Sequence, residues 1–490
     1  MSGMNADSRP DSIAKERSYQ GIRDTVHSGR HRNEIAQRHR SGSRLSKLLP
    51  ADRDQVETVT SALSIPANPP GPATPLAGPD RSVTASWPET PPGADPLPGQ
   101  LDRWLAARGA ELVAVRRHIH AHPELSGQEF ETAAMVAREL AVAGLSPRFL
   151  PKGNGVMCDI GTGDRVVALR ADLDALPLPD TKDVPYRSTV DGACHACGHD
   201  VHTTVLLGTG LALAQLAERS ELPGRVRLLF QPSEECFPSG SHEVIAAGEA
   251  ADLERIFALH CDPRTDVGRV GLRSGAITGS ADQLLVRLHG PGGHTARPQL
   301  TADLIYALGK VVTELPASLS RRVDPRAALS VVWGRIGAGR VANAIPAEGE
   351  VDGTVRCLDA AAWHDAPALV ESLVADIVSP YGVRAEVVYT RNVPPVENEA
   401  TSIEMLAVAV RATEGPDAVV GTEQSLGGED FAWYLEGVPG ALARLGVSRP
   451  EVPLHERLDL HQGRFDADER AISVGARVLV GATYVALASF

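Results

Sequence analysis

The chain has 490 residues, 43% of them hydrophobic, and a formal net charge of −14. Single hydrophobic cores stop growing near about 250–300 residues, so this length requires at least two domains. The acidic balance excludes nucleic acid and anionic membranes as expected partners, because both select basic surfaces, and leaves small molecules.

Residues 1–98 read as a disordered N-terminal extension. The first fifty hold ten Lys or Arg against five acids, and residues 65–100 are dense in Pro, Gly, Ala, Thr and Ser. A transit peptide would account for the arginines but not for Asp7, Asp11, Glu16, Asp24 and Glu34. No apolar run reaches the roughly 18 residues of a bilayer-spanning helix, and the N-terminus lacks the apolar core of a signal peptide. Six cysteines, at 158, 194, 197, 236, 261 and 357, show no secretory framework, and several sit beside ligand-type residues; a reducing, cytoplasmic location is expected.

From Leu101 the pattern turns helical, with Leu101, Leu105, Leu112, Val115 and Ile119 on one face, and a second helix is predicted over 131–143 before Gly144. Strands at 166–170, 226–230 and 256–260 alternate with helices at 203–219 and 244–247, which predicts an α/β sheet flanked by helices. Such sheets carry their sites beyond the carboxyl ends of strands, where Asp172, Asp174, Glu234, Glu235 and His260 fall. The texture then becomes strand 283–289, helix 302–315, strand 328–336, strand 350–357, helix 366–377, strand 385–389. That order predicts a ferredoxin-like α+β unit over 278–390, inserted into a larger domain made of 99–277 and 391–490. A closing helix is expected over 471–490.

The segment Asp191-Gly-Ala-Cys-His-Ala-Cys-Gly-His-Asp-Val-His202 places two thiols, three imidazoles and two carboxylates in twelve residues, more than a core buries without a metal. Thiolate with imidazole and carboxylate selects a borderline ion such as zinc, or manganese, cobalt or nickel where carboxylates dominate. Cys194 and Cys197 could instead form a redox pair or half a zinc ribbon, but no second Cys-x-x-Cys exists and three histidines crowd the pair. Adjacent carboxylates at a strand end point in different directions, so one of Glu234 and Glu235 can bind metal while the other serves as a base.

Eight segments then occur in a familiar order: Arg117-His-Ile-His-Ala-His-Pro-Glu-Leu125, Leu169-Arg-Ala-Asp-Leu-Asp-Ala-Leu-Pro177, His195-Ala-Cys-Gly-His-Asp200, Gln231-Pro-Ser-Glu-Glu235, Gly292-Gly-His-Thr-Ala-Arg-Pro298, Asn343-Ala-Ile-Pro346, Gly353-Thr-Val-Arg356 and Gly427-Gly-Glu-Asp-Phe431. Over residues 101–490 the chain resembles the metal-dependent amidohydrolases of the aminoacylase, hippurate hydrolase and auxin-conjugate hydrolase group. That group lies within the wider aminoacylase, carboxypeptidase and succinyl-diaminopimelate desuccinylase peptidase family. The resemblance implies an α/β fold: a metallopeptidase-type catalytic domain with a mixed sheet, plus an inserted ferredoxin-like lid and dimerisation domain.

The resemblance further implies two divalent metal ions held by Cys197, His199, Glu235, His260 and a histidine from the C-terminal segment. His461, a few residues before Phe465-Asp466, fits the family pattern and His455 does not. Glu234 matches the catalytic base, Asp174 the carboxylate that orients a ligand, and His294 an oxyanion donor offered to the partner subunit of a homodimer. Asn343 and Arg356 match substrate-holding positions. The implied reaction is hydrolysis of an N-acyl or N-aroyl amino acid to a carboxylate and a free amino acid. A dipeptidase or carboxypeptidase would use the same site, and a silent binder of amino-acid conjugates would keep it without the reaction. Two positions depart from the pattern: Cys194 replaces a common Met, and Cys236-Phe-Pro-Ser239 replaces a small Gly-Ala.

Overall fold

The computed structural model describes residues 96–217 and 222–489; all but the last three positions of the expected extension lie outside them. In chain order the elements are α1 (Leu97–Ala121), α2 (Phe130–Val142), β1 (Arg148–Phe149), β2 (Val156–Gly161), β3 (Val166–Asp172), α3 (His199–Ala217), β4 (Arg225–Gln231), α4 (Gly240–Ala246), β5 (Arg255–Asp266), β6 (Val270–Leu272) and β7 (Gly275–Ala276). They continue with β8 (Ala281–His289), β9 (Gly293–His294), α5 (Leu304–Arg322), β10 (Ser330–Ala338), β11 (Ala344–Ile345), β12 (Glu348–Arg356), α6 (Ala360–Val378) and β13 (Arg384–Val393). The last are β14 (Glu397–Asn398), α7 (Ala400–Glu414), β15 (Val419–Gly421), α8 (Ala432–Leu435), β16 (Gly440–Ser448) and α9 (Arg470–Ala488).

Eight strands form a mixed sheet in the order β1-β2-β4-β3-β5-β16-β6-β15. β4, β3, β5 and β16 run parallel, while β2 and β6 pair antiparallel to their inner neighbours. Because side chains alternate along a strand, each central strand feeds two cores. Val167, Leu169, Phe257, Leu259, Ala443 and Leu445 join the core shared with α1, α2, α3, α7 and α9. Ala168, Leu229, Ile256, Ala258 and Leu442 face the opposite side, toward Phe431 and Tyr434. The same alternation carries Arg170, Asp172, Gln231, His260 and Arg444 onto that second face at the carboxyl ends of their strands.

Residues 281–393 build a separate four-stranded antiparallel sheet, ordered β10-β12-β8-β13. Leu284, Val286 and Leu288 of β8 pack against Leu304, Leu308, Val311 and Leu315 of α5 and Val370 and Val374 of α6, an independent core. β10 lies at the sheet edge and is mostly exposed.

One expectation is corrected. α9 is long and apolar enough to cross a membrane, with a mean hydropathy of 1.7 over its best window, of which 83% is buried in the protein. The run passes through Arg477, which breaks its apolar appearance in sequence and pairs with Asp102 and Glu414. Gly475 lets α9 approach α3, since a Cβ there would lie 2.8 Å from Val205. α3 also starts earlier than predicted, at His199, so the last third of the ligand-rich segment is the first turn of a helix.

Candidate metal centre

Four chain segments converge beyond the ends of β3, β4 and β5. Gly198, at φ +89°, turns the chain between Cys197 and His199; a Cβ there would lie 2.7 Å from Cys261 Sγ, so only glycine fits. β5 ends by bringing His260 Nε2 to 3.6 Å from Cys197 Sγ. The turn after β4 delivers Glu234 and Glu235, and the C-terminal loop delivers His461, whose Nε2 is 3.1 Å from Glu235 Oε1. Donor atoms of Cys197, His199 and His260, of Cys197, Glu235 and His461, and of His199, Glu234 and Glu235 lie within 4.8 Å of one another in each trio.

The hydrogen-bond pattern fits a cation-binding role. His199 Nδ1 is 2.8 Å from the Asp174 carbonyl and His260 Nδ1 is 2.9 Å from the Cys261 carbonyl, which fixes each ring with Nε2 turned inward. His199 Nε2 is buried and has no hydrogen-bond partner, an arrangement that proteins rarely leave without reason. Asp174 is buried and accepts from Ser126 Oγ and the Glu235 backbone N–H at 2.7 and 2.9 Å, fixing the turn that bears Glu235. His461 and Ser233 are two of three non-glycine residues at positive φ among the described residues, at 61° and 57°. Such backbone costs about 1–3 kcal/mol and concentrates at functional sites.

Burial pushes the Cys197 thiol up to about 12, so ligation would have to displace its proton. Burial, with Arg444 and His202 behind it, pushes His260 well down and keeps it neutral. For His199 burial acts the other way from its partners, and Asp172 and Cys197 prevail, raising it well above the usual imidazole range; a cation would take the place of that proton. Burial and the carboxylates of Glu429, Glu235 and Asp430 push Glu234 well above the ordinary carboxylate range. Its Oε1 accepts from the Asp430 backbone N–H at 3.4 Å.

Two groups whose motif the sequence displayed without revealing their part are Arg170 and Asp430. Arg170 is buried and reaches Asp172 at 2.8 Å, Asp430 at 2.5 Å and Gln231 at 3.1 Å, lashing the ends of β3 and β4 to the 427–431 loop. The length of a buried arginine among hydrophobic strand residues was the available signal. A second trio, His120, Asp180 and Cys194, is also within ligating distance. There Lys182 Nζ lies 3.1 Å from Asp180 and 3.4 Å from Cys194 Sγ, so an ammonium already occupies the position of a cation.

The remaining expected residues lie elsewhere. His455 is exposed and paired with Glu456. His294, on β9, is exposed; its Nδ1 accepts from the Ala296 N–H at 3.0 Å, which leaves the proton on Nε2 as an outward donor. Asn343 is exposed beside it, and Arg356 donates to the Leu426 carbonyl at 3.0 Å. Among the described residues none of the three bonds to the ligand cluster.

Donor chemistry of this kind at the ends of a mixed sheet, with a carboxylate held ready for a proton, is that of metal-dependent hydrolases. Residues 168–484 match the model of "Peptidase family M20/M25/M40", and the chain belongs to that family. It is 47% identical over 375 residues to a Rhodococcus jostii (strain RHA1) protein named "Putative glutamate--cysteine ligase 2-3", a match that covers 76% of this chain and only 46% of that protein. It is 36% identical over 369 residues to an "N-acetylcysteine deacetylase" of Bacillus subtilis (strain 168), covering 75% of this chain and 94% of that one. A solved Bacillus subtilis structure described as a dinuclear metal-binding peptidase of the M20 family superposes with a TM-score of 0.69 at 32% identity, over 79% of this chain and 99% of that chain.

Proposed function

We propose that the protein hydrolyses the amide bond of N-acyl or N-aroyl amino acids, with two divalent cations held by Cys197, His199, Glu235, His260 and His461. The observation that carries the reading is Glu234, a carboxylate with raised proton affinity set beside the buried His199 Nε2, which lacks a hydrogen-bond partner. Zinc or manganese bound there, or cobalt or nickel, supplies the charge that polarises the carbonyl and acidifies water. Glu234 takes a proton from the attacking water and returns it to the departing amine nitrogen. Asp174 holds the His199 ring and the Glu235 turn in place. Asn343 and Arg356 hold the substrate, the arginine fork suiting its carboxylate.

His294 Nε2–H serves as the oxyanion donor, and the reading assigns it to the site of the partner subunit in a homodimer. The edge strand β10 supports this assembly: Val332 and Ile336 are 64% and 59% exposed on it, and Val341 is 61% exposed nearby. Six unpaired cysteines support a cytoplasmic setting. The test is purified protein stripped of metal, reloaded separately with zinc, manganese, cobalt or nickel, and assayed on N-acetyl, N-benzoyl and dipeptide substrates. Release of free amino acid from the first two sets is expected. Turnover of dipeptides alone would overturn the reading.

A further inference from the structure

Arg444 stands on β16 directly opposite His260 of β5. Its neighbours Ala443 and Leu445 face the helices, and Leu442 faces the other core, so the Arg444 side chain leaves the sheet on the His260 side. On its other flank is Gly271, where a Cβ would lie 3.2 Å from Arg444 Cβ; only a residue without a side chain leaves this space free. A cleft of about 510 Å³ opens there, lined by Arg444, Arg264, Thr265, Thr422, Gln424 and Leu460 among others.

Arg444 is half-buried, yet among the described residues it makes no hydrogen bond and no ion pair. Other arginines withdrawn into this sheet meet carboxylates: Arg170 reaches Asp172 and Asp430, Arg227 reaches Asp159 and Asp252, and Arg255 reaches Glu399. The other charges of the cleft are engaged. Arg264 pairs with Glu423 at 3.3 Å, Asp262 accepts from the Arg264 N–H and Thr265 hydroxyl, and Asp459 accepts from the Leu460 N–H. A half-buried guanidinium facing a cleft with no partner of its own has its donors free for a ligand, and its planar fork matches a carboxylate.

We propose that Arg444 anchors a subsite for a second substrate carboxylate, beyond the α-carboxylate, so that dicarboxylic N-acyl amino acids are the favoured substrates. The inference rests on the amidohydrolase reading above. A carboxylate suits the cleft better than a phosphate, because Asp262, Glu423 and Asp459 around it oppose a doubly charged anion. The second carboxylate enters either on the amino-acid side chain or on the acyl group.

The test measures kcat/KM of the full-length, manganese-loaded protein for N-acetylalanine, N-acetylglutamate and N-succinylalanine. One dicarboxylate is expected to exceed N-acetylalanine by about tenfold or more, the worth of one charge-assisted bond, and which one it is tells the side of entry. Arg444→Met should cut that ratio by about tenfold, and Arg444→Lys should restore part of it. An unchanged ratio in Arg444→Met, or no dicarboxylate preference in the wild type, overturns the subsite. Glutarate binding by titration calorimetry is the readout independent of turnover, expected to weaken in Arg444→Met. Weakened binding with no N-acyl amino acid hydrolysed would sink the amidohydrolase reading and leave the subsite standing. If Arg444→Met does not fold, Arg444→Gln against Arg444→Lys gives the same comparison.

Discussion

His199 and His202 lie three residues apart on one helix turn, both buried, and the protein treats them oppositely. His202 spends both ring nitrogens on the protein: Nδ1 is 2.7 Å from Asp172, and Nε2 accepts from the Cys261 N–H at 2.7 Å. His199 spends one, on the Asp174 carbonyl, and leaves Nε2 without a partner. The first is a strut that ties α3 to β3 and β5. The second has a coordination position to offer. Composition makes them equal candidates, and only an account of each nitrogen separates them.

The largest expected effect is at the base beside them. Glu234→Gln should keep the metal, measured by elemental analysis, and lose about a thousandfold or more in turnover, since an amide cannot carry the proton. Activity close to wild type would remove Glu234 from the role. His199→Ala should lose bound metal, whereas His202→Ala should hold it and instead lose about 2–3 kcal/mol in denaturant unfolding, because Asp172 and the Cys261 N–H are left buried and short of a partner. Equal metal loss in both would erase the distinction. His294 is a third kind, with one nitrogen used locally and the other turned outward. Glu234→Gln and His294→Ala proteins, mixed and refolded, should recover roughly a quarter of wild-type activity, since about half the dimers are mixed and each has one intact site. A re-paired but inactive mixture would show that His294 does not serve a partner. The smallest effect belongs to removal of residues 1–95, whose composition offers little apolar surface to a core; activity and unfolding midpoint should change little.

Strong periodicity made much of the architecture legible in the sequence. α1, α2 and the strands at β3, β4 and β5 have the expected positions, and β8, α5, β10, β12, α6 and β13 follow the predicted order. β2 and β16 were not anticipated. β2 carries Asp159 for Arg227 amid apolar residues, and β16 carries Arg444, and each charge interrupts the run that marks a buried strand. In the site, Cys197, His199, Glu235, His260 and His461 are brought together; residue types marked the first four as candidates, whereas His461 came only from the family resemblance, since a lone histidine in a C-terminal loop carries no signal of its own. The parts of Arg170 and Asp430 were not legible, because their meaning lies in a contact 260 positions long in sequence.

The position of β16 has a consequence for how the chain is made. This strand fills the gap between β5 and β6, and its cover, α9, is the last helix among the described residues. All elements of the inserted sheet are synthesised before residue 394, so that unit can close on its own core while the larger sheet still lacks its centre. Until residues 440–488 are made, β5 and β6 each present an unpaired edge, and the face that α1, α2, α3 and α7 cover still lacks α9. A chain stopped short of β16 therefore leaves the edges of β5 and β6 open and is an aggregation hazard carrying an insert already closed on its own core.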